Sequence, residues 1–299
     1  MQAATKCGRT RGDVEMTGTK EFTKQVSTIL KAGPGFSLDA VDPESTPGYK
    51  GKKSDGVALL AAQDGRLDVL QEMLFAEGKF GSSKRVLLIL QAMDTAGKGG
   101  IVEHVVGSMD PQGVKVAPFK APTDEEKAHD FLWRIERALP DAGFVGVFDR
   151  SHYEDVLIHR VHGWANEAEL ERRYAAINEF EARLAEQGTA IVKVMLNISR
   201  DEQKARLLAR LDDPSKHWKY NTSDLKERAF WDSYMDAYQL VFEKTSTEVA
   251  PWYVVPANKK WFARIAVQEL LLEALGKLDL RWPKADFDVP AERAMAVQS

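Results

Sequence analysis

The stretch that most limits what this chain can fold into is VLLILQAMDTAGKGGIVEHVV, residues 86–106, where an apolar run passes through a glycine-containing turn into an amphipathic segment. A buried strand that enters a helix through such a turn aims successive backbone N–H groups and the helix N-terminus at one point, which suits a phosphate. Gly97, Gly99 and Gly100 let the backbone approach closely, Thr95 and Ala96 complete the turn, and Lys98 reaches phosphate oxygens as a point charge. The loop departs from the standard pattern twice, with Ala92 in place of the first glycine and Gly99 where a Ser or Thr hydroxyl normally meets magnesium. Another group must then hold the ion. Asp94, inside the loop, supplies the carboxylate that a hard cation such as Mg²⁺ seeks, and Mn²⁺ is a possible substitute.

Around this loop, short β-rich runs alternate with long amphipathic segments. Strands are expected over Val86–Ala92, Val114–Phe119, Phe144–Phe148, Ala190–Ile198 and Trp252–Val255, and this alternation predicts a parallel sheet covered on both faces. Helices are expected over Val57–Phe75, Gly99–Ser108, Thr123–Leu139, Glu167–Gln187, Asp201–Leu211, Ser223–Ser246 and Lys259–Leu275, with Thr123 and Glu126 spaced as a capping box. The stretch from Gly33 to Asp55 is rich in Gly, Pro, Ser and charge and reads as an extended arm. The expected organisation is a flexible arm over 1–47, one P-loop domain over 48–280 with a lid at about 200–228, and a tail over 281–299.

A second motif, GFVGVFDRSHYEDV, is an apolar strand ending in Asp149 and Arg150. An acidic residue at such a strand end, the Walker B position of a P-loop fold, lies beside the phosphate site and helps to place Mg²⁺, so Asp94 and Asp149 are the expected metal ligands. Arg150 would brace an acceptor phosphate. A third signal is positive charge between Lys204 and Lys219, where Lys204, Arg206, Arg210, Lys216 and Lys219 face only Asp212 and Asp213. Arg206 and Arg210, spaced i,i+4, share a helix face, and a basic lid over the phosphates would stabilise a phosphoryl-transfer transition state. Lysines also gather in the arm at Lys50, Lys52 and Lys53, and Lys120 stands at a strand end, on the rim where α/β sheets bind ligands. His159 and His162 have no third ligand nearby and read as structural.

The net charge of −4 gives no global basic footprint for nucleic acid, and no apolar run approaches the ~20 residues that span a bilayer, so neither partner is expected. The sole cysteine, Cys7, allows no intrachain disulfide, and the polar opening has no apolar core of a leader, so a cytoplasmic setting is expected, with Met16 a candidate start.

Taken together, MDTAGKGG, DPQGVKVAPFKAPTDEE, HDFLWR, FDRSHYEDVL and LLARLDDPSKHWKYNTSDLKERAFWDSY resemble the polyphosphate kinase 2 family, over about Gly48 to Leu275. The resemblance implies a thymidylate-kinase-like fold and transfer of phosphate between inorganic polyphosphate and ADP, AMP or ATP. It implies a catalytic centre of Asp94, Lys98, Asp149 and Arg150, with Arg206 and Arg210 closing over the transferred phosphate. Arg134 and Glu154 would join the nucleotide and phosphate site, and Lys53, Lys120, Lys216 and Lys219 would contact polyphosphate. Tyr153-Glu154 matches members that accept monophosphates as well as diphosphates, whereas Asp149 in place of Asn departs from them. A homo-oligomer, dimer or tetramer, is likewise implied. Two rivals stay open: an ATP-dependent nucleoside or nucleotide kinase, and a silent nucleotide- or polyphosphate-binding regulator. The missing hydroxyl after Lys98 and the surplus lysines argue against the first, and the two carboxylates with their basic segment against the second.

Overall fold

The structure, a computed structural model, describes residues 20–299. After α1 (Val26–Ile29) and the long α2 (Lys53–Lys79), β1 (Arg85–Gln91) leads through the glycine loop to α3 (Lys98–His104). Then come β2 (Val114–Pro118), α4 (Asp124–Lys127), α5 (Trp133–Ala138), β3 (Val145–Asp149), α6 (Glu154–Val161) and α7 (Glu167–Glu186). The second half runs β4 (Thr189–Asn197), α8 (Arg200–Leu211), α9 (Thr222–Arg228), α10 (Trp231–Thr245), β5 (Trp252–Pro256), α11 (Lys260–Gly276) and α12 (Val289–Gln298).

The five strands form one parallel sheet in the order β2-β3-β1-β4-β5. The near-continuous apolar sequence of β1, β3, β4 and β5 follows from cover on both faces, while β2 at the edge stays half-exposed: α2 and α11 pack together against one side, and α6, α7 and α10 cover the other. Parallel strands bring all their C-terminal ends to one edge. β1 lies in the middle, with β2 and β3 to one side and β4 and β5 to the other, so its following loop opens where the strand order reverses. This is the parallel sheet covered on both faces that the alternation of elements predicts, and it agrees with the P-loop kinase-like fold that the resemblance implies.

Two expected helices are broken. The segment 123–139 starts with the capping box, Thr123 Oγ1 accepting from the Glu126 amide at 3.2 Å and Glu126 Oε2 from the Thr123 amide at 2.7 Å. It then stops, because the Asp130 carboxylate accepts the Leu132 amide at 3.1 Å and takes over a backbone group that a continuous helix would need. The segment 223–246 breaks at Ala229–Phe230, where i→i+3 bonds close the last turn of α9 before α10 begins. Helix α6, only eight residues long, was not foreseen as a separate element.

Of the arm expected over 1–47, residues 20–47 lie against the body, and the rest fall outside the described residues. Val26, Leu30, Ala32 and Leu38 are buried, as is Tyr49 just beyond them. The arm also covers the edge of the sheet: the Val254 amide donates to the Leu30 carbonyl at 2.9 Å and the Ala32 amide to the Trp252 carbonyl at 2.8 Å. Unpaired edge groups of β5 are thereby satisfied. The tail ends in α12, which buries no residue.

Candidate active site

The loop from Met93 to Gly97 turns tightly between β1 and α3. Gly97 sits at φ 121°, a conformation side chains rarely adopt, and Thr95 holds a positive φ of 68° without being glycine. Lys98 arches over the loop, its Nζ 3.2 Å from the Ala92 carbonyl oxygen. Gly99 and Gly100 form the first turn of α3, so their backbone N–H groups lie at the helix N-terminus.

From the neighbouring strand end, Arg150 also adopts a positive φ, 65°, with its amide donating to the Leu90 carbonyl of β1 at 3.0 Å. That turn aims its guanidinium across the loop, where it donates to Asp94 Oδ1 at 2.7 Å and lies 3.9 Å from Glu154. Burial works against the Arg150 charge, but Glu154, Asp94 and Asp149 outweigh it and hold its pKa above the usual value. Glu154, at the start of α6, is pushed up by burial although Arg150 and Lys98 favour its ionised form. Asp149 ends β3 with its Oδ1 buried and without a hydrogen-bond partner. A buried carboxylate oxygen left unmatched, close enough to Arg150 to share its charge with Asp94, is what a hard cation would satisfy. No group of three or more acidic, His or Cys side chains suited to a metal occurs among the described residues. Asp94 and Asp149 are the two carboxylates that could hold Mg²⁺, which keeps waters and substrate phosphates among its ligands and takes only one or two carboxylates from the protein.

Of the basic residues expected over the phosphates, Arg210 reaches the site, 3.7 Å from Asp224 and 3.3 Å from the Lys219 carbonyl. Arg206 does not. It is 7% exposed and its guanidinium binds backbone carbonyls of the loop from behind, which corrects its expected place over the transferred phosphate. The physical reason is that those carbonyls point away from the anion side and need donors there. Arg134 is also withdrawn from the mouth: it is buried, donates to the Lys120 carbonyl at 2.9 Å and lies 3.5 Å from Asp155, bracing the end of β2. Lys120 itself is exposed on that rim. Lys216 pairs with Asp213 at 2.7 Å and Lys219 stands over the exposed Trp218 ring, both on the turn between α8 and α9. Lys53, at the start of α2, lies near the first turn of α11, because Gly56 one turn on packs against Trp261.

Asp224 was missed from the sequence. It enters on α9 and faces Asp94, Arg210, Arg150 and Lys98, with burial and the Asp94 charge pushing its carboxyl up to about 6. Its only sequence signal is its place inside the basic segment. Gln203 was also missed, and donates to the Asp94 carbonyl at 3.1 Å. His159 lies beside Asp155 and Arg173, and His162 beside Glu227, both in structural contacts as the sequence suggested.

The family model described as polyphosphate kinase 2 matches residues 50–281. An AMP/ADP-polyphosphate phosphotransferase of Meiothermus ruber is 44% identical over 251 residues, covering 84% of this chain and 92% of that protein. An ADP-polyphosphate phosphotransferase of Rhodopseudomonas palustris is 44% identical over 282 residues, covering 90% and 95%. The crystal structure of polyphosphate kinase 2 from Arthrobacter aurescens TC1 superposes with a TM-score of 0.92 at 77% identity, covering 93% of this chain and 99% of that one.

Proposed function

The chain belongs to the polyphosphate kinase 2 family, and we propose that it moves a phosphoryl group reversibly between inorganic polyphosphate and nucleoside phosphates, ADP to ATP and AMP to ADP. The observation that carries this reading is the Asp94–Arg150 pair across the mouth of the glycine loop, with the unmatched Asp149 oxygen beside it. The names of the Meiothermus and Rhodopseudomonas relatives support the donor and the acceptors.

In the forward direction a terminal phosphate oxygen of ADP or AMP attacks the end phosphorus of the chain. The new P–O bond forms as the bridging P–O bond breaks, and polyphosphate leaves one unit shorter. The attacking oxygen is already anionic, so no general base and no covalent enzyme intermediate are needed. The loop amides and Lys98 hold the donor phosphates, Arg150 steadies the acceptor phosphate, and Arg210 adds positive charge from α8. Asp94 and Asp149 would hold Mg²⁺, which when bound screens charge on the phosphate oxygens. Glu154, next to Arg150, borders the acceptor phosphate and supports the use of AMP as well as ADP. The segment 200–228 acts as the lid in this reading, Lys53, Lys120, Lys216 and Lys219 attract the polyanion from the rim, and the working form is a dimer or tetramer in the cytoplasm. No described helix is long and apolar enough to cross a membrane.

The test is ATP formation from ADP, and ADP formation from AMP, with long-chain polyphosphate and Mg²⁺, against controls lacking either. Both products should depend on polyphosphate. Folded Asp94→Asn and Lys98→Ala enzymes should lose at least about 10²-fold in kcat. ATP-driven phosphorylation of another acceptor, or binding without turnover, would overturn the reading.

A further inference from the structure

We infer that Arg206 is a positioning residue that fixes the shape of the phosphate-binding loop from behind and never meets the transferred phosphoryl group. The inference rests on the transfer reaction proposed above and adds to it a division between the fixed and the moving part of α8.

A guanidinium has five N–H donors, and every one of Arg206's is engaged within the protein. Nη1 donates to the Thr95 carbonyl at 3.2 Å and the Ala96 carbonyl at 2.6 Å, Nη2 to the Ala257 carbonyl at 2.7 Å and the Asn258 carbonyl at 3.0 Å, and Nε to Glu202 Oε1 at 2.6 Å. One turn-face away on the same helix, Gln203 Nε2 donates to the Asp94 carbonyl at 3.1 Å. Three consecutive loop carbonyls, those of Asp94, Thr95 and Ala96, are thus held by α8. A loop that turns its N–H groups towards an anion must turn carbonyls the other way, and Thr95 does so at a positive φ that a free loop would relax. Arg206 supplies two of the outward partners and Gln203 the third.

The same side chain ties the loop to the end of β5. Asn258, whose carbonyl Arg206 also holds, accepts the Ser199 amide on its own Oδ1 at 2.9 Å, next to the start of α8. Glu202 in turn has its amide capped by Ser199 Oγ at 3.1 Å. The base of α8, the loop after β1 and the loop after β5 therefore form one hydrogen-bonded unit around a buried cation. To reach a phosphate, Arg206 would have to break all five bonds and leave four carbonyls unmatched. Arg210, one turn further on, has one contact at 3.3 Å and a carboxylate 3.7 Å away, so lid movement begins beyond Arg206.

Glu202 separates this role from direct contact, because its carboxylate touches Arg206 and no loop residue. Kinetics of Arg206→Ala, Glu202→Ala and the double variant, with amide hydrogen exchange over residues 93–100, test the inference. Arg206→Ala should lower kcat about 10²-fold, as expected for a site misplaced by about 1 Å, with the KM for ADP within threefold of wild type. Exchange at the loop should quicken. Glu202→Ala should lose activity in the same direction, and the double variant should be little worse than Arg206→Ala alone. Arg206→Lys should recover only a small part, since an ammonium cannot span both loops. A loss of about 10³-fold or more with loop exchange unchanged, or additive effects of the two alanines, would place Arg206 on the phosphoryl group and overturn the inference. A lowered melting temperature with kcat per folded enzyme unchanged would overturn it too, leaving a purely structural role. Wild-type enzyme that makes no polyphosphate-dependent ATP would instead refute the proposed reaction and leave the exchange result standing.

Discussion

Arg206 and Arg210 stand one turn apart on the same helix face, and their surroundings give them different work. Sequence spacing places both on α8 but carries no information about which carbonyls lie behind the loop, so a strut and a mobile cation look alike until the fold is assembled. The glycine loop itself is legible because its chemistry is local: strand, turn and helix are consecutive, and Asp94, Lys98 and Gly97 sit within a few residues of one another. Asp224 and Gln203 are not legible, since only tertiary packing brings them to Asp94. Gly97 offers a direct test of the local part. At φ 121° an alanine would be held in a strained conformation costing roughly 1–3 kcal/mol, and its Cβ would come within 3.8 Å of Arg206 Nη1. Gly97→Ala should therefore relax the loop away from its phosphate-binding shape and lower kcat about 10²-fold or more while the protein stays folded, as checked by turnover alongside a thermal melt. Unchanged turnover would mean that the loop does not need this backbone conformation.

At the level of elements, the strand boundaries that the alternating pattern predicts hold to within a few residues for the five strands: β1, β3, β4 and β5 are buried and read as nearly continuous apolar runs, and β2, half-exposed at the sheet edge, is bounded by its β-branched residues. The two helix breaks were hidden because they depend on single groups, the Asp130 carboxylate and the tightened end of α9, that leave apolar periodicity intact. β4 also carries a surprise: Lys193, fully buried, donates to Glu181 Oε2 on α7 at 2.6 Å, to Tyr153 Oη at 2.8 Å and to the Thr245 carbonyl at 2.8 Å. Tyr153 precedes Glu154, so this cluster underlies the start of α6, where Glu154 faces Arg150. Removing one partner leaves a buried charge unmatched, so Glu181→Ala should cost about 3–5 kcal/mol, and Lys193→Met should recover part of that loss in the double variant; chemical denaturation measures both. Equal stability of Glu181→Ala and wild type would show that the pair is dispensable. On α9, Asp224 gives a pH signature. Its carboxyl is pushed up to about 6 by burial and by Asp94. The folded chain therefore holds that proton more tightly than the unfolded chain, and the ionised form weakens the fold above about pH 6, an effect that fades as pH falls towards about 4. Asp224→Asn should raise the melting temperature at pH 8 and lose that advantage by about pH 4.5. A lower melting temperature at pH 8 would show that the Arg210 pairing dominates instead.

For the whole molecule, the arm is where composition misleads most. Its Gly, Pro, Ser and Lys content resembles a loose segment, yet a handful of apolar side chains suffices to bind it: Val26, Leu30, Ala32 and Leu38 are buried, Val26 and Leu30 one turn apart across α1 and Leu30 and Ala32 two residues apart where the arm pairs with β5, runs too short to give a periodic signal. The arm also connects the sheet edge to the site. After pairing with β5 through Leu30 and Ala32, it accepts the Asn258 amide on the Pro43 carbonyl at 3.2 Å, the Asn258 Nδ2 on Glu44 Oε1 at 2.9 Å and the Lys259 Nζ on the Glu44 carbonyl at 2.5 Å. Asn258 is one of the residues whose carbonyl holds Arg206. A chain beginning at Gly48 would lose the edge cover, the apolar contacts and these three restraints together. Two separate effects should follow. The melting temperature should fall by at least about 5 °C, since a loss of 1 kcal/mol shifts a domain of this size by about 2–4 °C, and the bared edge of β5 should promote aggregation that light scattering detects. Well below the new melting temperature, kcat should still be reduced, because the loop after β5 no longer anchors the guanidinium that shapes the phosphate loop. A truncated enzyme that melts lower but turns over normally would confine the arm to stability and break the proposed link from sheet edge to active site, whereas one that melts as the full chain does would mean that the buried contacts of the arm only offset the entropy of ordering it.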